Sequence, residues 1–348
     1  MKGDFVFAVP GDLDTPTGGY AYDKRMIAEL RELGWRPQVL NLGEGFPHPS
    51  ALTRATAKAQ LNDVPKGRTI VIDGLAFGVM PDEAEALSTT HPLIAMVHHP
   101  LALESGVTPE DEAALRKSER KALSFAHAVI VNSHTTADAL ADYGVAAERI
   151  TVARPGTDRV PIVMRRHDGP VALLAVGSLV PRKGYDLLIK ALAGLIDLPW
   201  HLTIVGDARD PATAGQVHAL IEHHKLGPRT SLLGAVSPSR LSELYALSEL
   251  FVLPSRYEGF GMAYAEAIAQ GLPVIGTTAG AISETVTATA RVLVPPDDVP
   301  ALAAALRHLI ESPMERARLA AGARAAAEHL PTWAESAKLF SAAIEGVV

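Results

Sequence analysis

The chain has 348 residues, more than one comfortable hydrophobic core, so two domains are expected. Hydrophobic residues make up 48% and charged residues 20%, a globular composition, and a net charge of −7 leaves no global basic field to hold a nucleic acid. Cysteine is absent, which removes disulfide scaffolds, thiolate metal sites and cysteine nucleophiles. The opening MKGDFVFAVP is interrupted too early by Gly11 and Asp12 for a signal peptide. No run approaches the roughly 18 apolar residues of a spanning helix, so a cytoplasmic protein is expected.

Short apolar, β-branched runs recur with helical stretches between them, the pattern of parallel sheets built from βαβ units. In the first half, strands are predicted at 5–10, 37–42, 69–73, 93–99, 128–133 and 150–154, with helices at 20–33 and 111–125 among those between them. The second half predicts strands at 171–179, 201–206, 230–236, 250–255, 273–277 and 291–295. Most are apolar on both faces, as when helices cover both sides of a sheet. Residues 153–170 are rich in proline, glycine and charge and read as a linker. This predicts an α/β fold of two doubly wound, Rossmann-like domains, 1–160 and 161–331, facing across a cleft at the carboxyl ends of their strands. A last helix, 332–348, follows Pro331 and packs on one domain or the other, possession by the first being one option.

The densest loop is PSRYEGFGMAYAEAIAQGLPVIG, 254–276. Glycines flanking Phe260 let the backbone approach a ligand, and a helix starting near Gly261 adds positive potential. Glu258 in the loop and Glu266 one turn into the helix could together hold vicinal hydroxyls, as on a sugar or ribose. Alternatively both are solvated charges. Glu266, however, lies in an otherwise apolar stretch, where a carboxylate needs a partner. After the first strand of the second half, VGSLVPRKGYDLL places Arg182 and Lys183 ahead of Gly184, either as cations for a diphosphate or as an ordinary basic turn.

In the first half, the loop 10–20 holds Gly18 and Gly19 without a GxGxxG fingerprint; it admits a phosphate or sugar, or is a plain turn. His98 and His99 end a strand, so at most one faces a site, where it could hydrogen-bond a substrate or shuttle a proton. The 13 histidines include no metal-ligating pair at helical spacing beside a carboxylate, and no metal is expected. Arg116, Lys117, Arg120 and Lys121 cluster on one helix. They could rest weakly on an anionic membrane, as a peripheral contact at the inner face, or form a solvated face, Glu119 interrupting them.

Together these loops resemble the GT-B glycosyltransferases of family 4, retaining enzymes that use nucleotide sugars. The likeness runs through GSLVPRKG, LLGAV at 232–236, LSELYALSELFVLPSRYEGFG from 241 and EAIAQGLPVIGTTAGAISE from 266, with the E-x7-E spacing of Glu258 and Glu266. In the first domain it rests on Gly18-Gly19, VHHP, VNS at 131–133 and PGTD at 155–158. The resemblance implies that Glu266 binds ribose hydroxyls and Glu258 the donor sugar. Amides of Gly259, Phe260 and Gly261 would hold sugar and phosphate, and backbone near Ala235 and Val236 the base. Lys183 would bind the diphosphate, with Gly18 and Gly19 facing it from across the cleft. His98 fits the family's cleft histidine better than His99. Where many members carry arginine this chain has Ser178, so either Arg182 supplies the second cation or stabilisation rests more on Lys183.

The expected reaction is front-face transfer of a sugar, with retention, from a nucleoside diphosphate to a hydroxyl acceptor. That acceptor is a glycan, a lipid-linked sugar or a small molecule. The nucleotide diphosphate sugar is a co-substrate, and neither cofactor nor metal is required. Rival readings are a nucleotide-sugar hydrolase or epimerase, and a catalytically silent binding protein. A dehydrogenase is excluded by the missing glycine fingerprint. The motifs leave nucleotide, acceptor and oligomeric state unassigned.

Overall fold

Each of the twelve apolar runs becomes a strand, and the strands form two parallel six-stranded sheets. The computed structural model describes residues 2–104, 107–158 and 169–347. Most of the expected linker, 159–168, lies outside the described residues. The chain divides into two compact units, Met1–Gly156 with Pro331–Val348, and Thr157–Leu330.

The first unit contains β1 (Asp4–Val9), β2 (Arg36–Asn41), β3 (Thr69–Asp73), β4 (Leu93–Val97), β5 (Ala128–Val131) and β6 (Ile150–Val152), in the order β2-β1-β3-β4-β5-β6. Every residue of β3, β4 and β5 is buried, which explains why these segments read as unbroken apolar runs. The first helix, Gly18–Glu32, begins two residues earlier than predicted because the Thr17 hydroxyl accepts the Tyr20 N–H. Gly18 and Gly19 are therefore the first helical residues rather than loop.

The helix Trp333–Glu345 starts with a capping box between Thr332 and Glu335 and belongs to the first unit. Its Phe340 stacks on Phe7 of β1 at 6.0 Å between centroids, and its Ser341 accepts a 2.9 Å hydrogen bond from the Trp35 indole. Phe340 is fully buried, worth roughly 1.5–3 kcal/mol of hydrophobic stabilisation.

The second unit contains β7 (Val171–Val176), β8 (Trp200–Val205), β9 (Thr230–Leu232), β10 (Leu250–Val252), β11 (Val274–Thr277) and β12 (Arg291–Val294), in the order β12-β11-β10-β7-β8-β9. Several strands stop short of their apolar runs: β7 at 176 rather than 179, β9 at 232 rather than 236, β10 at 252 rather than 255. The chain leaves the ladder there to build loops. Each sheet also reverses its winding once. After β2 the chain returns to the other side of β1 to lay down β3, and after β9 it returns to the other side of β7 to lay down β10. Ligands of open α/β sheets bind outside the carboxyl ends of the strands at these reversals.

Candidate functional site

At the reversal in the second unit, two loops meet. One follows β7 and contains a 3-10 turn, Pro181–Lys183; the other follows β10 and contains Glu258. Gly184 allows the approach, at φ +68°, since a Cβ there would lie 2.2 Å from the Pro254 carbonyl oxygen. Arg256 then ties the loops together. Its N–H donates to the Arg182 carbonyl at 2.7 Å, and its guanidinium reaches the Pro181 carbonyl, Asp186 and Asp297.

These contacts join residues that the sequence presented as two separate clusters. Lys183 Nζ lies 2.7 Å from Glu258 Oε1, and Arg182 Nη1 lies 3.3 Å from Glu258 Oε2 and 2.8 Å from the Tyr257 carbonyl. The Ser255 hydroxyl donates to Glu258 Oε1 at 2.7 Å. Glu258 is only 4% exposed. Burial opposes its charge, but Lys183 and Arg182, with the Lys183 and Ser255 hydrogen bonds, outweigh it and hold the carboxyl at about 2. The solvated-loop reading of Glu258 is thereby corrected: it is a buried anion held by two cations. Lys183 and Arg182 stay partly accessible and offer positive charge to a phosphate at the carboxyl edge of the sheet.

Glu266 stands apart from this group. On the helix Met262–Ala269 it accepts a 2.9 Å hydrogen bond from the Tyr245 hydroxyl, and among the described residues it forms no ion pair. Burial raises its pKa, the Tyr245 bond works against the rise, and the charge of Asp158 adds to it. Gly259, Phe260 and Gly261 are buried in the turn before this helix, and Thr285 fixes the Phe260 carbonyl. Ser178 is half-buried just past β7. Ala235 is exposed and Val236 half-buried in the loop after β9, where a strand was predicted. Ser255, Arg256 and Tyr245 were not singled out by sequence reasoning.

The reversal in the first unit gathers a second group. His98 and His99 lie past the end of β4, not within it, and take different partners. His99 Nε2 is 3.3 Å from Glu104, whereas His98 Nε2 is 3.2 Å from Asp23 and 3.5 Å from Asp73. A Cβ on Gly19 would sit 3.3 Å from His98 Cδ2, so the ring abuts the helix start. Burial disfavours the imidazolium, but Asp23 and Asp73 outweigh it and the pKa rises to about 10. Burial likewise pushes Asp23 up to about 7 against the pull of His98, with Asp73 adding to the rise. Neither aspartate was predicted. Asp73 carries the signal that marked Glu266, a carboxylate in an otherwise apolar stretch. Asp23 lies one helical turn after Gly19. The donor atoms of Asp23, Asp73 and His98 all lie within 4.8 Å of one another, close enough for a metal ion.

The basic helix, Pro109–Ser124, is partly neutralised. Arg116 pairs with Glu112 at 3.2 Å and Lys121 with Asp82 at 2.8 Å, while Lys117 and Arg120 are exposed. No helix among the described residues is long and apolar enough to cross a membrane.

A model described as glycosyl transferases group 1 matches residues 163–326, and one described as glycosyltransferase family 4 matches 80–161. Both models describe glycosyltransferases, and the chain is a glycosyltransferase. Its fold is GT-B: it superposes on a sucrose-phosphate synthase from Thermosynechococcus elongatus with a TM-score of 0.85, 20% identity and 99% of each chain covered. It likewise matches HepE from Anabaena, solved with UDP-glucose, at 0.76 and 20% identity over 98% of this chain and 99% of that one. An MMP alpha-(1->4)-mannosyltransferase from Mycolicibacterium hassiacum is 28% identical over 83% of this chain and 73% of its own length. A D-inositol 3-phosphate glycosyltransferase from Rhodococcus erythropolis is 31% identical over 72% of this chain. The chain spans 60% of that relative's length.

Proposed function

We propose that this glycosyltransferase moves a sugar from a nucleoside diphosphate to a hydroxyl acceptor, with retention of anomeric configuration and without a metal. The observation that carries the reading is the pairing of Lys183 and Arg182 with buried Glu258 at the sheet reversal. A diphosphate arriving at this edge meets two cations already positioned by Arg256, so little reorganisation is needed to bind it. Lys183 and Arg182 hold the phosphates, Glu258 receives a sugar hydroxyl, and Glu266 receives ribose hydroxyls beside Tyr245. Backbone at Ala235 and Val236 contacts the base.

No carboxylate of this group is free to attack the anomeric carbon, since Glu258 is engaged by both cations and Ser255. Front-face substitution suits that arrangement. The bond from the anomeric carbon to the leaving phosphate oxygen breaks, and the acceptor oxygen bonds on the same face. The acceptor's proton passes to the departing phosphate, whose charge Lys183 and Arg182 stabilise. The activities named for the mannosyltransferase and inositol-phosphate relatives, and the UDP-glucose bound by HepE, support a nucleotide-sugar donor.

The test is a thermal-shift screen against UDP-, GDP- and ADP-sugars, followed by transfer assays with the donor that raises the melting point. Lys183→Ala is expected to lower turnover by roughly 100- to 1000-fold. Transfer by that variant at the wild-type rate refutes the assignment.

A further inference from the structure

Asp23, Asp73 and His98 of the first unit take no part in the transfer step proposed above. Asp23 is wholly buried, and among the described residues neither of its oxygens accepts a hydrogen bond. Asp73 is equally buried and receives only one, from the Leu75 N–H at 2.7 Å on Oδ1, leaving Oδ2 unbonded. Two buried, uncompensated carboxylates this close together are costly unless a cation sits between them.

His98 Nε2 occupies that position, 3.2 Å from one and 3.5 Å from the other. An unprotonated Nε2 would aim its lone pair at two anions, so this nitrogen carries a hydrogen. A neutral ring with that hydrogen would leave the two buried carboxylates either both ionised or sharing a proton, with no cation between them. The charged groups facing the ring are Asp23, from the helix Gly18–Glu32, and Asp73, from the end of β3. Tyr22 stands perpendicular to it at 5.5 Å, and its hydroxyl donates to the Ala153 carbonyl at 2.9 Å. His99, next in the chain, turns to Glu104 instead.

We propose that Asp23 and Asp73 are positioning residues that hold His98 as an imidazolium, so that it meets its ligand as a fixed cation and hydrogen-bond donor and never as a base. Of the two roles open to a histidine here, hydrogen bonding and proton shuttling, this leaves the first. The ligand atom it suits is an oxygen with lone pairs to share, either a hydroxyl or a phosphoryl oxygen. That this ligand is the donor rests on the function proposed above; the charge on the ring does not.

The test is nitrogen NMR of the full chain labelled at histidine, with the His98 signals assigned by His98→Gln. Both ring nitrogens of His98 are expected to stay protonated up to about pH 9 in the wild type. In Asp23→Asn the titration is expected to fall by more than one pH unit, with Asp73→Asn moving it the same way. Should Asp23→Asn not fold, the wild-type titration and Asp73→Asn still decide. Deprotonation of wild-type His98 near its ordinary value of about 6.5 overturns the proposal. So does an unmoved titration in a folded Asp23→Asn. Displacement of the ring proton by micromolar Zn2+ or Mn2+ overturns it in favour of a metal site. Failure of every nucleotide sugar to raise the melting point would sink the donor reading while leaving the NMR result intact.

Discussion

Replacing Glu258 by glutamine removes the charge that binds Lys183 and Arg182 while keeping the side chain's shape. Burial works against this carboxylate, yet the two cations and Ser255 hold its pKa at about 2, against 4.5 for the free group. At about 1.4 kcal/mol per pH unit, the difference stabilises the folded chain by about 3 kcal/mol at neutral pH. Because the folded value is the depressed one, this contribution is present above about pH 4.5 and disappears as pH falls towards 2. Glu258→Gln is therefore expected to be about 3 kcal/mol less stable than wild type at pH 7, with the gap closing on acidification. Urea unfolding of both proteins from pH 7 to pH 3, followed by a probe reporting on the second unit, measures it. A gap that is the same size at every pH would show that the carboxylate's charge does not hold this loop, and the electrostatic account of the site would fail with it.

Two further changes probe other parts of the fold. Gly184→Ala forces a side chain onto a φ of +68° and against the Pro254 carbonyl. It is expected to destabilise the chain by about 2 kcal/mol or more and to lower transfer by displacing Lys183, as read by urea unfolding and an activity assay. Wild-type stability and activity would refute the packing argument. Glu119 is buried on the helix Pro109–Ser124 and accepts the Leu101 N–H at 2.9 Å; burial, only partly opposed by that bond and by Arg116, raises its pKa to about 8. Its folded value is the raised one, so it favours folding fully below about pH 4.5 and progressively less as pH climbs to 8. Glu119→Gln is expected to flatten the fall in stability over that range; an unchanged slope would refute it.

The strands and their parallel arrangement were legible because burial on both faces writes an unbroken apolar run into the sequence. Their ends were less so. Leu233 and Leu253 lie one residue past the ends of β9 and β10 and still donate backbone hydrogen bonds to Ile204 of β8 and Ile275 of β11. Leu253 is buried and Leu233 is exposed, so an apolar residue does not by itself mark where a strand stops. In the site, PSRYEGFG and PRKG each pointed to ligand chemistry, but nothing local in either said that Lys183 reaches Glu258. That contact depends on β7 and β10 lying side by side, a fact of strand order. Asp23 and Asp73 were hidden for the same reason: 50 positions of chain separate them, and the sheet reversal brings both to His98.

The return of the helix Trp333–Glu345 to the first unit bears on the order of events during synthesis. Phe7 lies in β1, which leaves the ribosome ahead of the second unit, yet its stacking partner Phe340 is made only after all of Thr157–Leu330 has been translated. The amino-terminal sheet must wait with one apolar face unfinished while the later unit is completed ahead of it. A nascent chain stalled near residue 330 would expose that face to chaperones.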